Sequence, residues 1–241
     1  MKRASTKQIF DYTILSLFFI MCIGAAPLRA EENANLFPRI AVLYFQNNST
    51  DNHALNALSK GLCSMMITDM KSAGGYTVVE RERIQAVLAE LEMAQGAAFD
   101  SATASKIGRL VGAEYLVFGS YFELFDKFTI NARMVIVETG VIAGASGVCG
   151  RSTDFDQLQQ QLTFDLLGKM NPLFCKFDSD VLRGSDVKTR VSVADAVEYG
   201  QALDEHDQGR NYSARKILLD IVEANPRFDA ARTMLAQLAS D

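Results

Sequence analysis

Few side chains in this chain could do chemistry on their own. There are two histidines, His53 and His206, and four cysteines, Cys22, Cys63, Cys149 and Cys175, in 241 residues. His53 falls in a polar loop and His206 in a C-terminal helical stretch. Neither lies at metal-ligand spacing from a cysteine or carboxylate pattern. A cysteine nucleophile needs a histidine base and an orienting partner. Cys63 and His53 are the only such pair worth weighing, and Cys63 sits in the apolar register of its helix, where a thiol behaves as a small buried hydrophobe. No G-x-x-x-x-G-K-[ST] phosphate loop is present. Gly144, Gly147 and Gly150 lack dinucleotide-binding spacing and read as a strand edge and turn. No cofactor or metal is expected, and the sequence points away from an enzyme.

One charge cluster stands out, Glu80-Arg81-Glu82-Arg83. It admits two readings. Arg81 and Arg83 could meet a partner or a second subunit. Alternatively the four residues could form salt bridges at a strand-to-helix turn, with Glu82 near the positive end of the helix.

The N-terminus is read as a processing segment. Lys2, Arg3 and Lys7 precede an uncharged 15-residue run, Tyr12 to Ala26, and Leu28-Arg29-Ala30 follows. This is the three-part pattern of a secretory signal over residues 1–30. The run is short of the roughly 20 residues that cross a bilayer. Cys22 follows Phe19-Ile20-Met21, so it lacks the small residue expected before a lipidated cysteine. The expected mature protein is soluble and begins near Glu31.

Export would set both charge and redox context. The whole chain carries net charge −5, and without residues 1–30 it holds 20 basic against 28 acidic side chains. That balance disfavours nucleic acid, whose non-specific binding depends on Lys and Arg. In an oxidising compartment Cys149 and Cys175 are the candidate disulfide, although spacing alone does not establish that their Cα atoms come close.

The elements needed to position these residues can be read from periodicity. Residues 39–45 (RIAVLYF) read as a buried strand. Leu55, Leu58, Leu62, Met66 and Met70 recur at helical spacing, with Thr50, Asp51 or Asn52 as candidate caps and Gly74-Gly75 as the stop. Tyr76–Val79 reads as a short strand, followed by a helix through Ile84, Val87, Leu88 and Leu91. Asp100 or Ser101 caps another, with Ala104, Ile107, Leu110 and Val111 inward. Three strands follow: 115–122, 128–137 and 141–148. In the second, Phe128, Ile130, Ala132, Met134 and Ile136 alternate with polar residues, and the short link around Phe125-Asp126-Lys127 predicts an antiparallel hairpin. A helix over 153–170, a polar linker over 179–190 and a wholly helical stretch from 191 complete the chain. The fold class is α/β, a mixed-sheet α/β sandwich over 39–178 with a small helical segment over 191–241.

Several of these segments, in order, resemble the CsgG-type family of curli assembly and transport components. They are Ile40–Phe45, Leu58-Ser59-Lys60-Gly61-Leu62 running to Met70, Val78–Ile84, Ala104–Gly108, Gly112–Ser120 and Arg133–Gly140. The core is also similar to LpoB-type activators of penicillin-binding proteins. The resemblance covers about residues 39–150. It implies an exported envelope protein acting by protein–protein contacts in outer-membrane or periplasmic assembly or secretion, often as a homo-oligomer. An oligomeric curli-type outer-membrane transport component is the alternative. The short turn near Lys127 leaves no room there for an inserted membrane hairpin, whose strands need about 9–11 residues each. The expectation is therefore a periplasmic protein, peripheral to the outer membrane at most.

The C-terminal stretch resembles a tetratricopeptide (TPR) unit at Ala202, Gly209, Tyr212, Ala214, Leu218 and Pro226. A lone unit cannot bury its own face. Tyr199, Leu203, Tyr212, Leu218 and Leu235 could form a docking face for a partner, with Tyr199, Leu203 and Tyr212 as its named contacts, or the same helices could cap the core.

Overall fold

The computed structural model describes residues 37–50, 53–93, 99–170 and 191–239. The expected leader, Cys175 and the expected polar linker lie outside these residues, as does the expected Cys149–Cys175 bond through Cys175.

Ile40 to Phe45 are all fully buried, as a continuous apolar run requires when both faces of a strand are covered. β1 (Arg39–Val42) lies between β3 (Thr77–Val78) and β4 (Tyr115–Leu124), parallel to both. Past β1 the chain stays against β4. Leu43 N–H donates to the Val117 carbonyl at 2.8 Å, and β2 (Gln46–Asn47) pairs with Ser120 and Tyr121. Sheet order is β3-β1-β4-β5-β6 with β2 beside β4. The step from β1 to β3 runs one way across the sheet and the step from β3 to β4 runs back. Right-handed crossovers therefore put their helices on opposite faces.

A 3-10 turn, His53–Ala57, feeds α1 (Leu58–Ala73). Leu55, Leu58, Leu62, Met66 and Met70 are buried, as their spacing predicted. The helix starts at Ala57 without a side-chain cap, because the 3-10 turn leads straight into it, and it ends at Gly74 with φ 71°. α2 (Arg81–Glu90) begins inside the charge cluster. α3 (Ser101–Val111) is capped by Asp100, whose carboxylate accepts from Thr103 N–H at 2.7 Å. Leu110, expected inward, is 50% exposed. Ala104, Ile107 and Val111 define the buried stripe, and Leu110 lies about 100° round the helix from Val111.

β4 and β5 (Lys127–Ile136) form a ten-residue antiparallel hairpin. Its two-residue turn is Phe125–Asp126, with φ 50° and 57°, the left-handed pair that a tight hairpin needs. β6 (Ile142–Arg151) completes the meander. The β5 alternation holds for Phe128, Ile130, Ala132 and Met134. Pairing then shifts between Met134 and Val135, so Val135 and Val137 are buried while Ile136 is only half-buried. The three glycines expected at a strand edge and turn do lie on an edge strand, all of them within β6 and none in a turn. A Cβ on Gly150 would stand 2.8 Å from Leu158 of α4 (Phe155–Met170), so the small residues let this helix approach the strand closely. Tyr121 stacks on Phe128 at a centroid distance of 5.7 Å, and Phe128 meets Phe155 edge to face at 5.4 Å.

The C-terminal helices are α5 (Val193–Asp207), α6 (Asn211–Ala224) and α7 (Asp229–Gln237). Ser192 and Asp195 start α5 with a reciprocal capping box. The described residues make one compact unit, with α5 lying along α1.

Candidate functional site

Two helix interiors carry a glycine where they cross. A Cβ on Gly61 of α1 would sit 2.4 Å from the Ala196 carbonyl oxygen, and one on Gly200 of α5 would sit 1.9 Å from the Ala57 carbonyl oxygen. Glycine costs about 1 kcal/mol in a helix relative to alanine. Here it permits backbone-to-backbone packing that no larger residue allows.

That approach brings four charged side chains together. Lys60 and Arg81 have side chains only 2% and 4% exposed. The Arg81 guanidinium donates two bonds to the Asp207 carboxylate, Nη1 to Oδ2 and Nη2 to Oδ1, each 2.8 Å. Lys60 Nζ reaches Asp207 Oδ2 at 2.6 Å and Asp204 Oδ1 at 2.5 Å. A bidentate guanidinium–carboxylate pair is the stronger kind of charged hydrogen bond. Burial acts to raise the Asp207 carboxyl, but hydrogen bonds and charge from Arg81 and Lys60 outweigh it and hold the group below the usual carboxylate range. Nearby, Tyr44 donates to Gln85 Oε1 at 2.8 Å, and the Ser64 and Tyr199 hydroxyls share a 2.8 Å bond.

Cys63 lies beside this network and is fully buried. Its thiol donates to the Val42 carbonyl at 3.1 Å, and burial pushes it up to about 12. That shift disfavours the thiolate, which is the reactive form of a cysteine. His53 is exposed on the 3-10 turn. Among the described residues no group of three or more His, Cys, Asp or Glu side chains is placed to hold a metal ion.

A second polar site sits where α1, α4 and α7 meet. Gln159 Nε2 donates to Asp69 Oδ2 at 2.9 Å. Burial pushes the Asp69 carboxyl up to about 6, against the Gln159 hydrogen bond, with the Asp229 and Asp156 carboxylates adding to the rise.

The third feature is a basin of about 570 Å³ on one face of the meander. β4 begins covered there, with Leu116 and its β5 partner Val135 both buried. Beyond them the face opens. Phe118 pairs with Arg133 and Arg133 with Ala145, while Gln46, Ser120, Asn131 and Gly147 form the next row across four strands. Phe99 closes one side.

The residues proposed as partner contacts divide by depth. Arg81, Tyr199 and Leu203 are buried. Arg81 is spent on Asp207, and Tyr199 packs on Phe228 at 5.1 Å between ring centroids. The face they were expected to present is turned inward, because α5 lies on α1. Arg83 is exposed and Tyr212 is 85% exposed. Cys149 is exposed on β6 and forms no disulfide among the described residues. Sequence reasoning missed Lys60, Asp204 and Asp207. The available signal was a glycine in the interior of each of two helices, with Lys60 adjacent to one of them.

Residues 24–126 match the model of a family described as curli production assembly/transport component CsgG. Over this stretch the chain is similar to that family. The CsgG-type match spans β1 through the hairpin turn and includes Lys60, Cys63 and Arg81. Among solved structures, the LpoB C-terminal domain from Salmonella enterica is 18% identical, with 47% of this chain and 82% of that chain covered and a TM-score of 0.37. Lipoprotein GNA1162 from Neisseria meningitidis is 18% identical, with 47% and 79% covered and a TM-score of 0.40. The PelC dodecamer from Paraburkholderia phytofirmans is 14% identical, with 56% and 90% covered and a TM-score of 0.35. No curated protein matches the chain. No described helix is long and apolar enough to cross a membrane.

Proposed function

We propose that this chain is an exported, non-enzymatic envelope protein that works by protein–protein contact in periplasmic or outer-membrane assembly or secretion. The observation that carries this is the CsgG-type match over residues 24–126. The secretory pattern of residues 1–30 supports export, and the full burial of Cys63 supports a role without a cysteine nucleophile. The working organisation is a leader over 1–30, a CsgG-like core over 39–178 and a TPR-like segment over 191–241. Its partners are envelope proteins, further copies of the chain among them, and it is peripheral to the outer membrane at most.

Affinity capture from cross-linked envelope extract tests this. The expected outcome is a reproducible envelope partner bound to periplasmic protein. Recovery of the chain in the cytosol alone, or of no partner, overturns it. The family description also includes transport, which favours a second reading as an oligomeric outer-membrane transport component. A high-salt wash separates the two, since a transport pore stays with the membrane and a peripheral protein is released.

A further inference from the structure

We propose that the open face of β2, β4, β5 and β6 binds an extended acidic peptide segment of a protein partner, with the Arg133 guanidinium as the carboxylate anchor. This deepens the contact-protein reading and rests on it.

Register makes the site a built one. Gln46, Ser120 and Asn131 stand side by side on adjacent strands, and Gly147 extends the row. Strands lie about 4.8 Å apart, so the row runs about 14 Å, the length of roughly four extended residues. Amide and hydroxyl side chains both donate and accept, which is what a run of peptide groups requires. Gly147 has a local reason to be glycine. A Cβ there would meet Asn131 Oδ1 at 2.6 Å, so the bare backbone leaves room for the Asn131 amide to lie across β6. Phe99 and Phe118 supply apolar surface beside the row. The volume of about 570 Å³ lies within the range of about 300–1,000 Å³ usual for binding pockets.

Charge selects the occupant. Among the described residues the lining holds Arg133 and no acidic side chain, in a chain of net charge −5. Elsewhere Lys60, Lys71, Arg81, Arg151, Arg210 and Arg232 each meet a carboxylate. Arg133 makes no ion pair or side-chain hydrogen bond with the described residues. Nor do the side chains of Gln46, Ser120 and Asn131. A guanidinium fork beside a row of unspent hydrogen-bonding groups fits a carboxylate carried on a peptide strand.

The test pans a random nine-residue peptide display library on the full mature chain. Arg133→Gln and Asn131→Asp variants run in parallel. Both residues are exposed, and unchanged melting temperatures establish that the variants fold. Selected peptides should carry Asp or Glu beside an apolar residue and should bind both variants at least tenfold more weakly. Asn131→Asp places a competing carboxylate next to Arg133, so it checks the anchor without removing it. In backbone NMR the selected peptides should shift Ser120, Asn131, Arg133 and Gly147.

Absence of selected peptides overturns the proposal, as do peptides that lack acids, bind Arg133→Gln equally well or shift other residues. So does binding of oligouronate, run as a separate arm, in place of peptide. Envelope capture with Arg133→Gln separates this failure from that of the broader reading. A partner retained by the variant sinks the basin alone, whereas no partner for either protein sinks the contact-protein reading.

Discussion

Arg81 and Asp207 stand 126 residues apart in the chain and meet through two hydrogen bonds of 2.8 Å. The first residue of α2 is thereby tied to the last residue of α5. Asp207→Ala would leave Lys60 and Arg81 buried without their shared counterion. The expected loss is about 3–5 kcal/mol, the usual effect of breaking a buried pair from one side. Urea unfolding at pH 7 measures it. The pH dependence has a definite sign. The folded carboxyl is held below its ordinary value, so the stabilisation is present above the unfolded pKa, near 4. It disappears as pH falls through the folded value.

Asp69 should act in the opposite direction. Its folded value is raised to about 6, so the folded state takes up a proton before the unfolded chain does. The penalty is largest above pH 6 and fades as pH falls toward 4. Asp69→Asn should therefore stabilise the protein by up to about 3 kcal/mol at pH 7, with little effect near pH 4. Melting curves across pH 4–8 would show the two proteins converging at the acid end.

Two glycine-to-alanine changes should have opposite effects. At Gly200 the added methyl would stand 1.9 Å from the Ala57 carbonyl oxygen. The helices would have to separate, at a cost of about 1–3 kcal/mol or more. At Gly168, in α4, nothing lies within 4 Å. There alanine should add about 0.5–1 kcal/mol through backbone entropy and helix propensity. Thermal denaturation of the pair separates close packing from a general effect of glycine.

A chain ending at Asp178 should be destabilised or insoluble. It would expose the Gly61 face of α1 to water and strip Lys60 and Arg81 of Asp207 and Asp204. Sedimentation and melting of the shortened protein check this. A soluble product with an unchanged melting temperature would instead favour α5–α7 as a separate docking element.

Local pattern carried much of the architecture. The 3.6-residue stripe of α1, the Asp100 cap and the alternation from Phe128 to Met134 were all legible because each depends on neighbours close in sequence. The Met134–Val135 shift was not, since it arises from pairing with β6. The buried charge network was hidden for a related reason. Lys60, Arg81 and Asp207 look like ordinary surface charges until α5 is laid on α1, and only that contact turns Tyr199 and Leu203 inward. The basin was half visible. Thr129, Asn131 and Arg133 read as the polar side of β5, but their alignment with Gln46 and Ser120 follows from a parallel pairing that no local pattern encodes.

The two-residue turn at Phe125–Asp126 also bears on the order in which the molecule assembles. β4, β5 and β6 are consecutive ten-residue strands, so their pairing closes short loops and can form quickly. β1 and β3 must cross much longer stretches of chain to reach the same sheet. Until β1 arrives, the side of β4 that it covers, including Leu116 and Val117, is an open apolar edge. Such an edge can pair with another molecule as readily as with its own β1. A holding chaperone that shields this edge would therefore raise refolding yield more at high protein concentration than at low.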